Sequence, residues 1–133
     1  MSASDLLFDT WAWWEVLHGT RVGRSLRTRF LLDGKHRIHT SAISLAEVSA
    51  RLASDGAPGR IEATCGAIRR ESRIWDVTAD IAVDAGRARG ELPRTLRSAS
   101  LADAVILVTA RRAGAVLVSG DPAFAGVPGV IRG

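Results

Sequence analysis

Four acidic residues recur in two kinds of local context. Two of them directly follow apolar, strand-like runs, and the other two close a repeated segment, SLAE or SLAD, within a helical pattern. The four are Asp9 and Asp121 after the apolar runs, and Glu47 and Asp103 in the repeated segments. Carboxylates that meet at one site repel one another and resist ionisation unless a cation neutralises them. Oxygen ligands without clustered His or Cys favour Mg²⁺ or Mn²⁺ over Zn²⁺.

The stretch 100–121 positions two of these acids. Ser100 is a suitable helix N-cap, Gly114 is a suitable stop, and residues 115–118 suit a buried strand. A helix that leads through a short turn into an apolar strand is half of a βαβ unit, in which functional groups gather beyond the carboxyl ends of the strands. We therefore expect Asp103, in the first helical turn, and Asp121, after the strand, to meet at that edge.

The rest of the chain alternates between strand and helix patterns, as in an α/β fold. Strands are expected at 6–8, 37–44, 74–77, 115–118 and 130–131, and helices at 20–32, 44–54, 60–71, 78–92 and 100–113. In the helix at 20–32, apolar residues four apart oppose a basic face. A chain of 133 residues with 47% hydrophobic content predicts one domain over residues 1–133.

Charge and cysteine content suggest the setting and the partners. Seventeen of the eighteen basic residues are Arg, and the net charge is +4, which favours nucleic acid as a partner. The single Cys65 cannot form an internal disulfide, so we expect a reduced, cytoplasmic location and an unreactive, buried thiol. We expect no membrane association, since apolar runs are short and the first residues lack the basic start of a signal peptide. His36 and His39 are expected at the surface or a sheet edge.

Helix capping is an alternative explanation for the same acids. Asp9 could serve as a helix N-cap, and S-x-x-E and S-x-x-D are capping boxes, in which the acid reaches back to the N–H of the cap residue. Each acid taken alone fits this interpretation. The position of all four at one edge of the expected sheet favours a shared metal site.

Three tryptophans within four residues form a second unusual feature. Trp11, Trp13 and Trp14 cannot all face one small core, so at least one is expected to cover a partner surface or the rim of a site.

The motifs LLFDT, SLAEV, SLADAVILVTA and LVSGDPAF, in this order, resemble the PIN-domain ribonucleases, in particular VapC-type toxins of prokaryotic toxin–antitoxin pairs. The resemblance covers the whole chain and matches the family's acids to Asp9, Glu47, Asp103 and Asp121. Thr10 and Ser119 match hydroxyl residues beside the first and last acid. Trp11 departs from the pattern, where the family often has a small or hydroxyl residue.

The resemblance implies a mostly parallel sheet flanked by helices and a metal-dependent endoribonuclease that hydrolyses RNA phosphodiester bonds. Asp9, Glu47 and Asp103 would hold Mg²⁺ or Mn²⁺ directly or through water. Asp121 would complete the site, with Thr10 and Ser119 supporting it. A VapB-like antitoxin is expected on resemblance alone, and a homodimer on resemblance together with the tryptophan cluster.

Two other classes remain open. A phosphoacceptor or phosphatase domain of doubly wound type also keeps acids at strand ends, but it needs a positioned Lys, and the lone Lys35 precedes a strand instead of following a late one. A non-catalytic RNA- or protein-binding module would need no complete acidic set. Metal-dependent RNA cleavage separates the three.

Overall fold

A computed structural model of the protein describes residues 4–91 and 99–133. Its strands are β1 (Ser4–Phe8), β2 (His36–Ser41), β3 (Arg73–Trp75), β4 (Val116–Val118) and β5 (Val130–Ile131). Its helices are α1 (Thr10–Leu17), α2 (Arg21–Leu26), α3 (Ala42–Ser54), α4 (Ile61–Glu71), α5 (Ala79–Glu91) and α6 (Leu101–Ala113). A π-helical turn, Arg27–Leu31, continues α2, and 3₁₀ turns occupy Pro58–Arg60 and Pro122–Phe124.

The five strands form one sheet in the order β3-β2-β1-β4-β5. Each described strand pair is parallel, and Leu7 of β1 lies between His39 of β2 and Leu117 of β4. The sheet grows outward from β1 in one direction through β2 and β3, and in the other through β4 and β5. The α/β fold with a parallel sheet flanked by helices is therefore confirmed, and the switch point lies between β1 and β4.

Alternate residues of β1 supply the core on the two faces of the sheet. Leu6 and Phe8 pack with buried residues of α1 to α4, whereas Leu7 packs with Ile106 and other residues of α6. Helix α5 covers α6 through Ala85. Both faces are thus covered, as expected for a parallel sheet.

Trp13 ties helix α1 to the sheet. Its side chain is fully buried, and its Nε1 donates a hydrogen bond to Thr40 Oγ1 at 2.8 Å. The Thr40 hydroxyl lies 2.6 Å from Ser72 Oγ, just after α4. The indole therefore fixes α1 against β2 through both packing and a satisfied polar contact.

The structure differs from several predicted boundaries of helices and strands. Helix α3 starts at Ala42 with Ser41 as its N-cap, so the predicted strand to 44 was too long and Ser44 lies inside the helix. The predicted helix at 20–32 is α-helical only to Leu26. The last residue of the helix predicted at 78–92 lies outside the described part of the chain. The helix at 100–113 and the strand at 130–131 are confirmed.

The prediction that His39 lies at the surface or a sheet edge was wrong, because His39 is buried in β2, between β1 and β3. Its side chain is buried, its ring stacks on Trp75 at 3.8 Å between centroids, and its Nε2 lies 2.7 Å from Asp5 Oδ1. Hydrogen bonds from Arg37 and His39 hold the pKa of the Asp5 carboxyl well below its usual range. His36 is half-buried. A long-range aromatic contact from β3 explains why local pattern placed His39 incorrectly.

Across the described residues, the helices are too short or too polar for any of them to pass through a lipid bilayer.

Gly23 permits the close approach of α1 and α2, which yields a stability prediction. A Cβ built on Gly23 would lie 1.9 Å from the backbone oxygen of Glu15. The backbone of α1 or α2 must therefore shift in the Gly23→Ala variant. We expect the Gly23→Ala variant to lose about 1–3 kcal/mol of unfolding free energy in urea titrations, as for other overpacked sites. Gly86→Ala in α5 is the matched control, because its Cβ would meet nothing within 4 Å. That control should gain up to about 1 kcal/mol from helix propensity, and equal midpoints for both variants would contradict the packing account.

Candidate metal centre

An acidic cleft lies beyond the carboxyl ends of β1 and β4, at the switch point of the sheet. Its volume is about 310 Å³. The structure brings all four sequence-predicted acids to this cleft, although they are distant in sequence. The lining residues are Asp9, Thr10, Trp11, Glu47, Arg51, Asp103, Ile106 and Asp121.

Asp9 serves as a helix cap within the cleft. It directly follows β1, is 2% exposed, and accepts a hydrogen bond from the Ala12 amide at 2.8 Å through Oδ1. Ser119, the residue after β4, is itself buried and lowers the pKa of the same carboxylate. The capping role expected as an alternative is therefore present, and it coexists with a place in the acidic cleft.

Glu47 has no capping role. Because α3 begins at Ala42 and is capped by Ser41, Glu47 lies in the second turn instead of closing a capping box. Its Oε1 accepts a hydrogen bond from Thr10 Oγ1 at 2.6 Å, and the same hydroxyl lies 3.0 Å from Ser44 Oγ. The capping interpretation of SLAE was wrong, and Thr10 orients Glu47 in the cleft.

Asp103 forms the capping box that its segment predicts. The Ser100 amide donates to Asp103 Oδ2 at 2.8 Å, and the Asp103 amide donates to Ser100 Oγ at 3.1 Å. The carboxylate has a second oxygen, and the residue still lines the cleft. Capping and facing the cleft are therefore compatible for this residue.

Asp121 is held by a network at the end of β4. Its Oδ1 accepts from the Ala123 amide at 2.9 Å, and its own amide donates to Ser119 Oγ at 3.0 Å. The Arg132 guanidinium donates to the carbonyls of Asp121, at 2.7 Å, and Gly120, at 3.1 Å. The last residues of the chain thus brace the turn that carries this acid.

Trp11 forms part of the rim of the cleft. Its ring packs so closely on the backbone that a Cβ on Gly120 would lie 2.3 Å from it, and one on Gly133 2.7 Å. The expectation that one indole borders a site is met by this residue. Trp11 therefore holds α1 against the Asp121 turn.

Sequence reasoning did not identify two arginines at this site. Arg51 lines the cleft and follows Glu47 by four residues. This i,i+4 spacing on one helix face could have predicted that Arg51 lies near the acid. Arg132 carried no such signal, because its contact depends on the tail folding back on the Asp121 turn.

The cleft disfavours negative charge. Burial raises the pKa of Asp9 to about 7, and repulsion from Asp121 and Asp103 adds to the effect. Ser119 and the hydrogen bond from the Ala12 amide partly oppose this rise in pKa. Burial and neighbouring acids likewise raise the pKa of Glu47 and of Asp103. A bound cation would reverse this destabilisation of the charged forms.

The donor set fits a hard divalent cation such as Mg²⁺ or Mn²⁺. It consists of carboxylate and hydroxyl oxygens, and each of the four carboxylates accepts a hydrogen bond through one oxygen. Within residues 4–91 and 99–133, no three Asp, Glu, His or Cys side chains are already close enough to hold an ion together. Because Mg²⁺ usually keeps several waters and takes only one or two carboxylates, this spacing suits an ion held partly through water.

The fold and the cleft define the class: an α/β domain with an acidic site at the switch point of a parallel sheet. The chain belongs to the PIN-domain family, whose model matches residues 6–130. Members of this family are generally nucleases that use divalent metal ions. The resemblance drawn from the motifs is thereby confirmed.

Several solved structures are similar to this chain, and among them are one described as a toxin–antitoxin complex and one described as a toxin. DNA-bound VapBC from Salmonella typhimurium has a TM-score of 0.73 at 23% identity, over 98% of this chain and 97% of that one. A toxin–antitoxin complex from Klebsiella pneumoniae has a TM-score of 0.67 at 25% identity, over 95% of both chains. VapC20 from Mycobacterium tuberculosis, described as a sarcin-ricin loop cleaving toxin, has a TM-score of 0.67 at 23% identity, over 95% and 98%. A comparison with curated protein sequences gives no significant match.

The raised pKa of Asp9 predicts a pH-dependent effect on stability. Between its ordinary pKa of 3.8 and about 7, the folded chain retains a proton that the unfolded chain releases, so the free energy of unfolding falls as pH rises through this window. Asn at this position still accepts the Ala12 hydrogen bond and carries no charge. In EDTA, Asp9→Asn should therefore melt higher than the parent at pH 8, and the difference should shrink towards pH 4.

Thermal melts across this pH range provide the measurement. Asp80→Asn is the control, because Asp80 is an exposed acid in the first turn of α5, outside the cleft. Its pH dependence should follow that of the parent. A constant difference between Asp9→Asn and the parent at every pH would contradict the assigned cause.

Proposed function

We propose that this chain is a divalent-metal-dependent endoribonuclease that hydrolyses RNA phosphodiester bonds, as the cytoplasmic toxin of a toxin–antitoxin pair. The observation that carries the proposal is the convergence of four carboxylates in one cleft whose burial and mutual repulsion resist negative charge. Family membership and the described activity of VapC20 support RNA cleavage as the reaction.

The chain's own residues have distinct roles in this proposal. Asp9, Glu47 and Asp103 would hold Mg²⁺ or Mn²⁺, directly or through water, and Asp121 would complete the site. Thr10 orients Glu47 by donating to its Oε1, and Ser119 supports the turn that carries Asp121 by accepting its amide hydrogen bond. A bound ion supplies an activated water and stabilises charge on the phosphoryl oxygens.

Two alternative functions receive less support. A phosphatase of doubly wound type would place a Lys beside its acids, but Lys35 immediately precedes β2, at the opposite edge of the sheet. Among the described residues that line the cleft, Arg51 supplies the cationic side chain. A binding module would not require four buried or half-buried carboxylates to share one cleft, because their repulsion is a stability cost without a cation.

The first test is cleavage of single-stranded RNA by the purified protein with Mg²⁺ or Mn²⁺ and with EDTA. We expect cleavage only with the metal, and a loss of about 100-fold or more in Glu47→Gln and in Asp103→Asn, since a neutral amide is a poor ligand for a hard cation. Both variants should melt at least as high as the parent in EDTA, because one of several crowded charges is removed.

Matched controls separate metal binding from helix-end charge. Glu62→Gln and Asp80→Asn change exposed first-turn acids of α4 and α5 and should retain parental cleavage. Mn²⁺ titration should show weaker binding in the cleft variants only. Cleavage that persists in excess EDTA, or cleft variants that bind Mn²⁺ and cut RNA like the parent, would overturn the nuclease proposal.

We also propose a VapB-like antitoxin that masks the cleft and a homodimer of the toxin. Similar structures that contain toxin–antitoxin complexes support the antitoxin. The tryptophans no longer motivate dimerisation, since Trp13 is in the core and Trp11 and Trp14 are half-buried. Exposed apolar side chains remain on α5 and α6, where Val83 is 62% and Leu101 57% exposed.

Two measurements test these partners. Sedimentation velocity of the isolated toxin at high micromolar concentration should show a dimer, and a monomer would contradict the homodimer while leaving the nuclease proposal intact. A cognate antitoxin should suppress RNA cleavage when added to the toxin. A partner that binds without lowering the cleavage rate would contradict masking of the cleft.

A further inference from the structure

Arg51 is a positive charge placed in the wall of an otherwise acidic cleft. It lies on α3 one turn after Glu47, and its side chain is exposed. Its guanidinium carbon sits over the ring of Trp14, 3.9 Å from the centroid. Trp14 in turn lies against the ring of His18 at 4.4 Å, and His18 bonds to the Trp14 carbonyl. The guanidinium is therefore held by α1 while it belongs to α3.

Electrostatics alone would pair Arg51 with an acid, but its guanidinium stacks on Trp14 instead. Glu47 and Arg51 have the i,i+4 spacing and order that favour an ion pair on a helix. Among the side chains that the structure describes, Arg51 nevertheless makes no ion pair within 4.0 Å with any carboxylate. Stacking on an indole face leaves the in-plane N–H donors of a guanidinium available to another group. Glu47 keeps Thr10 as its partner, so acid and base remain separate.

We infer that Arg51 binds a phosphate of the RNA strand beside the bond that is cut, and that Trp14 positions it there. The guanidinium fork matches phosphate oxygens bidentately, and a fixed cation at the rim would offset the repulsion between RNA and the acidic cleft. This inference rests on the proposed function, because it assumes that RNA enters the cleft. Arg51 would contact substrate, whereas Trp14 would act through Arg51.

The test uses the 133-residue chain and a short fluorescein-labelled single-stranded RNA. Binding is measured by anisotropy in the Asp9→Asn background at several salt concentrations, and KM and kcat are measured for cleavage in the parent background. Arg51→Gln should weaken binding about tenfold and reduce the salt slope by about 0.7, the value for one phosphate contact on a single strand. Arg51→Lys should keep the slope but recover only part of the affinity, since it keeps the charge and loses the fork.

Four further readouts separate this role from a structural one. Trp14→Leu should weaken RNA binding less than Arg51→Gln does, with the salt slope retained. Arg51→Gln should raise KM more than it lowers kcat, and its Mn²⁺ affinity should not fall, since a positive charge near the acids is removed. Arg111→Gln, at the far end of α6, makes the same net charge change and should stay within about twofold of the parent for RNA affinity.

The possible results discriminate between this inference and the proposed function. Cleavage by the parent with an unchanged KM and salt slope in Arg51→Gln would overturn only the assignment of Arg51. An equal loss of RNA affinity in Arg111→Gln would also overturn it, because the change in the net charge of the protein would then explain the effect. Unchanged RNA binding with weakened antitoxin binding would assign Arg51 to the antitoxin instead. If RNA binding depends on Arg51 but the parent protein cleaves no RNA, only the nuclease proposal would be refuted. If the parent protein neither binds nor cleaves RNA, the nuclease proposal and the assignment of Arg51 would both be refuted.

Discussion

Repulsion among carboxylates in a partly desolvated cleft is the constraint on which the rest of the structure depends. The fold opposes it locally before any cation is considered. Asp9 and Asp103 lie at the N-terminal ends of α1 and α6, where the helix dipole and free amides stabilise negative charge. Glu47 instead relies on a hydroxyl donor, Thr10. These local contacts hold the acids in place without neutralising them, and the raised pKa of Asp9 shows the remaining imbalance.

Helix capping and metal binding do not exclude each other at this site. A carboxylate has two oxygens, and in Asp9, Asp103 and Asp121 one oxygen accepts a backbone amide hydrogen bond. Such a bond fixes the side-chain rotamer and leaves the second oxygen for another partner. The caps therefore fix the acids in place at the switch point and leave oxygens free to face the cleft.

Local rules predicted most of the fold and the convergence of the acids. Apolar pattern, capping residues and glycine stops predict three elements: strand β1 before Asp9, helix α6 after Ser100, and strand β5. The start of α3 was misplaced because Ser41 and Ser44 are both suitable N-caps, and in the structure Ser41 is the cap and accepts a hydrogen bond from the Ile43 amide. The burial of His39 and the stacking of Arg51 on Trp14 depend on contacts between distant elements, to which no local pattern refers.

The dependence on distant contacts extends to the site itself, whose walls come from four parts of the chain. Trp11 packs on Gly120 and Gly133, so the same helix that Asp9 caps also supports the turn that carries Asp121. Arg132 adds two hydrogen bonds from the C-terminal tail to that turn. Because the β1–β4 register sets the distance between these segments, the geometry of the cleft is a property of the whole sheet. The large indole at position 11 therefore contributes packing where a hydroxyl contact is absent, which explains how the site accommodates its departure from the family pattern.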